Sequence, residues 1–153
     1  MGVPQSLVID GSNVLHSDSE LRRLATIDPE RARAELERLL AGRARVSVFW
    51  DGGPGGSVRS LHRKGIRVDY SGDGEADDRL VAWLKHQGPR KTTVVTDDSA
   101  LRRRCQQLGA RIVPARGFVD QLRTTRDVAP DRPPPSPTDV DFWMREFQVK
   151  DGE

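Results

Sequence analysis

The stretch LVIDGSNVLH, residues Leu7 to His16, decides the fold. An apolar run from Ser6 to Ile9 leads into Asp10 and Gly11. A run this short, ended by an Asp-Gly pair, is typical of a buried β-strand rather than of a helix. The sequence therefore predicts a first strand that carries an aspartate at its carboxyl end.

Strands and helices alternate along the residues that follow. Further apolar runs predict strands over residues 46–50, 66–70, 92–96 and 111–113. Apolar residues at helical spacing predict helices that start near Asp28, Glu75 and Ser99. This order predicts βαβ units, and hence an α/β fold with a mainly parallel, Rossmann-like sheet and helices on both faces.

Length and composition indicate one domain followed by a tail. The chain has 153 residues, and prolines cluster after Asp127. We predict a domain over residues 1–127, a Pro-rich linker over 128–138 and a C-terminal helical tail over 139–153. Trp143 and Phe147 lie on the apolar side of the tail helix, which we expect to dock on the domain; the alternative is that it recognises a second chain.

Charge and cysteine content exclude several classes of protein. The 25 Lys and Arg residues against 23 Asp and Glu leave a net charge of +2, too small for a purely electrostatic nucleic-acid coat. The single cysteine, Cys105, excludes an internal disulfide framework and a four-thiolate zinc site. No apolar run approaches the roughly 18 residues of a membrane span. We therefore expect a cytoplasmic protein that does not bind a membrane.

Acidic residues follow the predicted strands. Asp10, Asp51 and Asp98 stand at strand ends, and Asp77 opens the helix after the third strand. Because ligands bind at the carboxyl ends of parallel strands, these side chains should meet there. Converging carboxylates repel one another unless a hard divalent cation neutralises them. The sequence therefore predicts a Mg²⁺ or Mn²⁺ site suited to metal-assisted phosphodiester hydrolysis.

Other polar residues at the same end are weaker candidates. Asp97 and Asp78 each adjoin a stronger candidate, and one of each pair can cap the following helix. Glu75 is interpreted as a loop acid and His16 as a structural residue. Asn13 has two interpretations, holding a turn or orienting a water on the metal, and the sequence does not choose between them.

The four acidic passages, taken in order, resemble the NYN domains of the PIN-like nuclease superfamily, and most closely its YacP-like branch. The passages are LVIDGSNVLH from Leu7, VSVFWD from Val46, EADDRLVAWL from Glu75 and VVTDDSALRRRCQQLGA from Val94. The resemblance implies a three-layer PIN-like sheet. It also implies a metal-dependent ribonuclease, often an endoribonuclease, that uses Mg²⁺ or Mn²⁺.

The resemblance also implies roles for individual residues. The implied catalytic residues are Asp10, Asn13, Asp51, Asp77 and Asp98, and the implied metal ligands are Asp10, Asp77 and Asp98. The chain departs from the family pattern at Asp97, where Ser or Asn is usual, and at Glu75, where Thr is common. Neither departure removes an expected ligand, so we expect an active enzyme.

Positive charge must lie near the acidic end, because bare carboxylates repel phosphate. The candidate RNA-binding residues after the glycine-rich loop are Arg59, Arg63, Lys64 and Arg67, and a second group is Arg102, Arg103 and Arg104. With one Tyr and four Phe, the chain offers no obvious platform for stacking bases. Sequence preference is then modest or supplied by a partner such as a ribosome. The oligomeric state stays open.

Competing hypotheses differ in what they require. The main alternative is a non-catalytic RNA- or protein-binding module that keeps the fold and a structural metal. A P-loop nucleotidase needs a Lys after its glycines, which residues 52–56 do not supply. A haloacid-type phosphatase needs a second aspartate at the position of Ser12, and a receiver domain needs a Lys where Arg116 follows Pro114-Ala115.

Overall fold

A six-stranded sheet forms the centre of the fold. The computed structural model describes residues 5–43, 45–53 and 56–128. The strands are β1 (Ser6–Asp10), β2 (Val46–Trp50), β3 (Val58–Arg63), β4 (Ile66–Ser71), β5 (Thr92–Val95) and β6 (Arg111–Val113). The helices are α1 (Gly11–Ser17), α2 (Ser19–Ile27), α3 (Pro29–Leu40), α4 (Ala76–Gln87), α5 (Ser99–Leu108) and α6 (Phe118–Val128), with a 3-10 turn at Pro89–Lys91.

The strand order in the sheet is β3-β4-β2-β1-β5-β6. Within the described chain β3 pairs antiparallel with β4, and all the other strand pairs are parallel. The predicted mainly parallel sheet is therefore confirmed. The carboxyl ends of β1, β2, β4 and β5 lie side by side along one edge, which we call the carboxyl edge.

Helices cover both faces of the sheet, as predicted. Alternate residues of β1 point to opposite faces, so Ile9 packs in one core and Val8 in the other. The core that holds Ile9 also contains residues of α1, α2, α3 and α6. The core that holds Val8 contains residues of α4 and α5. The result is a three-layer architecture, with the sheet between two helical layers.

The structure contains elements that the sequence did not predict. These are β3 and the helices α1, α2 and α6. The predicted helical tail, and the predicted linker after its first residue, lie outside the described residues. No helix in the described ranges is both long enough and apolar enough to cross a membrane.

Candidate active site

An open acidic cleft lies at the carboxyl edge of the sheet. Its volume is about 470 Å³, and its lining includes Asp10, Ser12, Asn13, His16, Asp51, Glu75, Asp77 and Asp98. The fold thus brings together all five side chains that the sequence singled out as catalytic. Glu75 and His16, which the sequence analysis treated as a loop acid and a structural residue, also face the cleft.

Asp10 is the most buried carboxylate of the acidic cleft. It ends β1, and only 6% of the residue is exposed. Burial raises the pKa of the Asp10 carboxyl to about 6, and the nearby carboxylates of Asp77 and Asp98 add to the rise. A carboxylate held in this way gains from any cation that enters the cleft.

Thr96 fixes the orientation of Asp10. Its hydroxyl donates a hydrogen bond of 2.8 Å to Asp10 Oδ2, and this bond partly offsets the rise in the Asp10 pKa. The Thr96 oxygen also accepts the backbone N–H of Asp98 at 3.1 Å. One buried hydroxyl therefore links two acids of the cleft. Sequence reasoning missed this residue, although it directly precedes the Asp97-Asp98 pair.

A glycine allows α1 to start immediately after Asp10. A Cβ atom on Gly11 would lie 2.5 Å from Trp50 Cε3 and 2.8 Å from the Phe49 carbonyl oxygen. Any larger residue would push α1 away from β2 and move the end of β1 with it. The Asp-Gly pair thus serves close packing beneath the cleft.

Asp51 positions the helix that carries Asp77. Asp51 Oδ1 accepts the backbone N–H of Ala76 at 2.9 Å, whereas the N-cap residue of α4, Glu75, makes no side-chain capping bond. Asp77 then lies in the first turn of α4. Burial raises the pKa of the Asp77 carboxyl, and the charges of Asp98 and Asp51 raise it further.

Asp98 both caps a helix and lines the acidic cleft. Its Oδ1 accepts the backbone N–H groups of Ala100 at 2.9 Å and Leu101 at 3.1 Å. Asp98 is therefore the N-cap of α5, in line with the expectation that one residue of the Asp97-Asp98 pair caps this helix. Both capping bonds are accepted by Oδ1. Asp98 also lines the acidic cleft.

Asn13 and Asp97 tie neighbouring loops together. Asn13 Oδ1 accepts the backbone N–H of Asp97 at 2.7 Å. The Asp97 carboxylate accepts the backbone N–H groups of Ala115 at 3.0 Å and Arg116 at 2.9 Å. These bonds support the turn-holding interpretation of Asn13. Asp97 acts as a clamp between the end of β5 and the segment after β6.

The donor set of the acidic cleft fits a hard divalent cation. Among the described residues, no three His, Cys, Asp or Glu side chains stand close enough together to hold a metal ion by themselves, so an ion here would need water ligands as well. Mg²⁺ needs only one or two direct carboxylates and keeps several waters. The raised pKa values of Asp10 and Asp77 arise in part from like charges, which such a cation neutralises.

The predicted RNA-binding residues fall in different places. Because Val58 pairs with Ser71 and Arg63 pairs with Ile66, β3 starts at the carboxyl edge and runs away from it. Arg59 therefore lies near that edge, whereas Arg63 and Lys64 lie toward the opposite one. Arg63 is bound to Glu37 at 2.8 Å.

The remaining basic candidates lie on the other face of the sheet. Arg67 pairs with Asp69 at 2.9 Å and stacks 3.8 Å from the centroid of the Trp83 ring. Arg102 and Arg103 are exposed on α5. Arg104 next to them pairs with Asp78 at 3.1 Å, so Asp78 acts as a surface ion-pair partner.

Comparisons with known proteins agree with this architecture. The fold is similar to the crystal structure of Rae1 (YacP) from Bacillus subtilis, with a TM-score of 0.67 and 19% identity over 97% of this chain and 84% of that chain. The W164L mutant of that protein gives a TM-score of 0.65 and 21% identity over 81% of this chain and 78% of that chain. No curated protein matches the chain with significance. A family model of the YacP-like NYN domain matches residues 7–132. The chain therefore belongs to the family of YacP-like NYN domains.

Proposed function

We propose that the protein is a metal-dependent ribonuclease that cleaves RNA endonucleolytically with Mg²⁺ or Mn²⁺. The observation that carries this proposal is the acidic cleft, in which the buried Asp10 faces the charges of Asp77 and Asp98. Membership of a nuclease-like family that generally uses divalent metals supports it. RNA is the proposed substrate and the cytoplasm the proposed location.

Asp10, Asp77 and Asp98 would hold the metal ion. A divalent ion bound there supplies a Lewis acid that activates water and offsets negative charge on a scissile phosphate. The hydrogen bond from Thr96 orients the Asp10 carboxylate before any ion binds. Helix capping likewise fixes Oδ1 of Asp98. Preset carboxylates lose little conformational freedom when the ion binds.

Asp51 and Asn13 would act mainly by positioning. Asp51 holds the start of α4, and Asn13 holds the turn before α5. Their bonds fix the two helix starts that carry Asp77 and Asp98. Small displacements of such groups reduce rates strongly, because catalysis depends on near-attack geometry. Both residues are therefore expected to affect turnover without being required as metal ligands.

A second candidate function is a non-catalytic RNA- or protein-binding module. The exposed cations Arg59, Arg102 and Arg103 would bind RNA whether or not the cleft cleaves it. A ribosome is one partner that would present RNA to either kind of protein. Cleavage, rather than binding, separates the two functions.

The test is cleavage of a labelled, unstructured RNA by the full chain with Mn²⁺, Mg²⁺ or EDTA. We expect Asp10→Asn, Asp77→Asn and Asp98→Asn each to lower turnover at least roughly 100-fold, because each removes a charge that would hold the ion. Asn is nearly isosteric with Asp and keeps one side-chain oxygen, which at position 98 can still cap α5, so the variants should fold.

Asp78→Asn is the matched control. Asp78 neighbours Asp77 on the same helix, but it is exposed and pairs with Arg104. Its loss should leave turnover within about threefold. Metal-dependent RNA binding without any cleavage would favour the binding module instead. Retained turnover in a folded Asp10→Asn variant would contradict the proposed site.

A further inference from the structure

A second groove lies between α3 and the β3–β4 hairpin. Its volume is about 470 Å³, and its lining includes Glu30, Arg33, Glu37, Arg63, Lys64 and Tyr70. We call it the α3–hairpin groove. We propose that it holds the phosphate backbone of the RNA strand on one side of the scissile bond. This inference rests on the proposed ribonuclease function and specifies the path of its substrate.

Arg33 joins the α3–hairpin groove to the acidic cleft. Its Nη2 donates a hydrogen bond of 3.2 Å to the backbone carbonyl of Asp51, a residue of the cleft lining. Its guanidinium lies 5.3 Å from the centroid of the Trp50 ring. The side chain of Arg33 also lines the groove. A strand that leaves the cleft past Asp51 therefore meets this cation first.

The α3–hairpin groove has an excess of positive charge. Its buried acid, Glu37, is 1% exposed and is already bound by Arg63 at 2.8 and 3.1 Å and by Trp50 Nε1 at 3.1 Å. Glu37 therefore presents little charge to a ligand. Of the other charged side chains that line the groove, Glu30 is negative, whereas Arg33 and Lys64 are positive.

Arg59 adds a further cation to this side. It lies opposite Tyr70 in the strand register, and Tyr70 lines the groove. Arg59 and Lys64 are both exposed. They stand near opposite ends of β3, a six-residue strand that spans roughly 20 Å. Cations at this spacing suit a chain of phosphates rather than a single anion.

The other side of the acidic cleft is less suited to a polyanion. Arg104 on α5 is paired with Asp78 at 3.1 Å, so part of the α5 charge is cancelled. Arg102 and Arg103 project from an exposed helix surface. The groove, by contrast, offers walls from two elements. These differences favour the α3–hairpin groove as the path of the RNA backbone.

The test compares paired charge removals in the full chain. The groove variant is Arg59→Ser with Lys64→Ser, and the control variant is Arg22→Ser with Lys85→Ser, which are exposed on α2 and α4. A third variant, Arg102→Ser with Arg103→Ser, removes the same charge from α5. Cleavage is measured with Mn²⁺ on an unstructured RNA of twelve nucleotides and on a dinucleotide too short to reach the groove.

We expect the groove variant to raise KM for the long RNA roughly tenfold with kcat within about twofold. The slope of log KM against log salt should fall by about 1.4, because two single-strand phosphate contacts are lost. Cleavage of the dinucleotide should not change, and the control variant should match the wild type on both substrates.

Three outcomes would overturn parts of this inference. Equal KM values for the groove and control variants would remove the groove as the path of the backbone. A KM effect confined to the α5 variant would move the backbone to the opposite side. Failure of the wild type to cleave either RNA would remove the proposed function itself, before any variant is compared.

Discussion

Asp10 occupies a position in which its charge opposes the stability of the fold. The difference between its pKa of about 6 and the ordinary value of 3.8 corresponds to about 3 kcal/mol. Since the folded-state pKa is raised, the favourable contribution of the protonated carboxyl is complete below pH 3.8. It is lost as pH rises through 6.

Asp10→Asn should therefore stabilise the protein that lacks metal. At pH 8 in EDTA, we expect its free energy of unfolding to exceed that of the wild type by up to about 3 kcal/mol, because Asn stays neutral. The gap should close as pH approaches 4. Thermal melts between pH 4 and 8 measure it, and added Mn²⁺ should stabilise the wild type more than the variant. A gap that does not change with pH would show that the charge of Asp10 is not the cause.

Thr96→Val should impair the acidic cleft through Asp10. The variant leaves Asp10 Oδ2 and the Asp98 N–H without the hydroxyl, which should lower stability by about 1–3 kcal/mol. The bond from Thr96 lowers the Asp10 pKa, so its loss should move the acidic limb of the pH–rate profile to higher pH.

Thr92→Val is the control for this effect. Thr92 is equally buried and begins β5, the strand that Thr96 directly follows, but its hydroxyl donates to the Gly88 carbonyl at 3.0 Å. We expect a similar loss of stability with an unchanged pH–rate profile. Parallel shifts of the profile in both variants would mean that Thr96 acts only through general stability.

The sequence predicted the positions of some site residues and missed those of others. Asp10 was found because it is the last residue of β1, and Asp98 because it lies in the short connection from β5 to α5 at the same edge. Thr96 and Arg33 were missed, since their partners come from distant parts of the chain and only the folded sheet brings them together. The same holds for the clamp that Asp97 forms with Ala115.

The β3–β4 hairpin shows the same limit for elements. The sequence VRSLHR of β3 is mostly exposed, so it lacks the apolar run that identified the buried strands. Gly11 was interpreted as the end of a strand, and the strand does end at Asp10. That α1 starts at once was not predicted, because this start depends on the contact with Trp50.

At the scale of secondary-structure elements, we predict that the ion pair of Arg63 and Glu37 fixes the β3–β4 hairpin to α3. Arg63→Met leaves Glu37 buried with Trp50 Nε1 as its remaining partner among these bonds. Because 42% of the Arg63 side chain is exposed, we expect a modest loss of roughly 2 kcal/mol. Adding Glu37→Gln should recover most of it. Chemical denaturation of the two single variants and the double variant measures the coupling, and additive losses would argue against it.

At the scale of the whole molecule, the C-terminal tail is the main untested prediction. If residues 139–153 pack Trp143 and Phe147 on the domain, a chain that ends before Pro130 should melt roughly 3–6 °C lower. Calorimetry measures the change. Trp143→Ser with Phe147→Ser in the full chain should reproduce it, whereas unchanged melting of the truncated chain would contradict docking.

The overall architecture was predictable in part. Alternating strands and helices predicted a mainly parallel sheet with helices on both faces, and the structure has both features. The position of β1 between β2 and β5 was not predicted, since several strand orders satisfy the same alternation. The acidic cleft depends on this order, because it places the ends of β2 and β5 on either side of Asp10 at the end of β1.

The two outer strands of the sheet have a consequence for self-association. An outer strand offers unpaired backbone groups to which a strand of another molecule can add. In the described sheet, β6 has only three residues and begins with Arg111, and β3 carries Arg59, His62 and Arg63. A short strand at one edge and basic residues at the other disfavour the edge-to-edge addition of a strand from another molecule. Replacing the basic residues of β3 by threonine would remove this protection against aggregation.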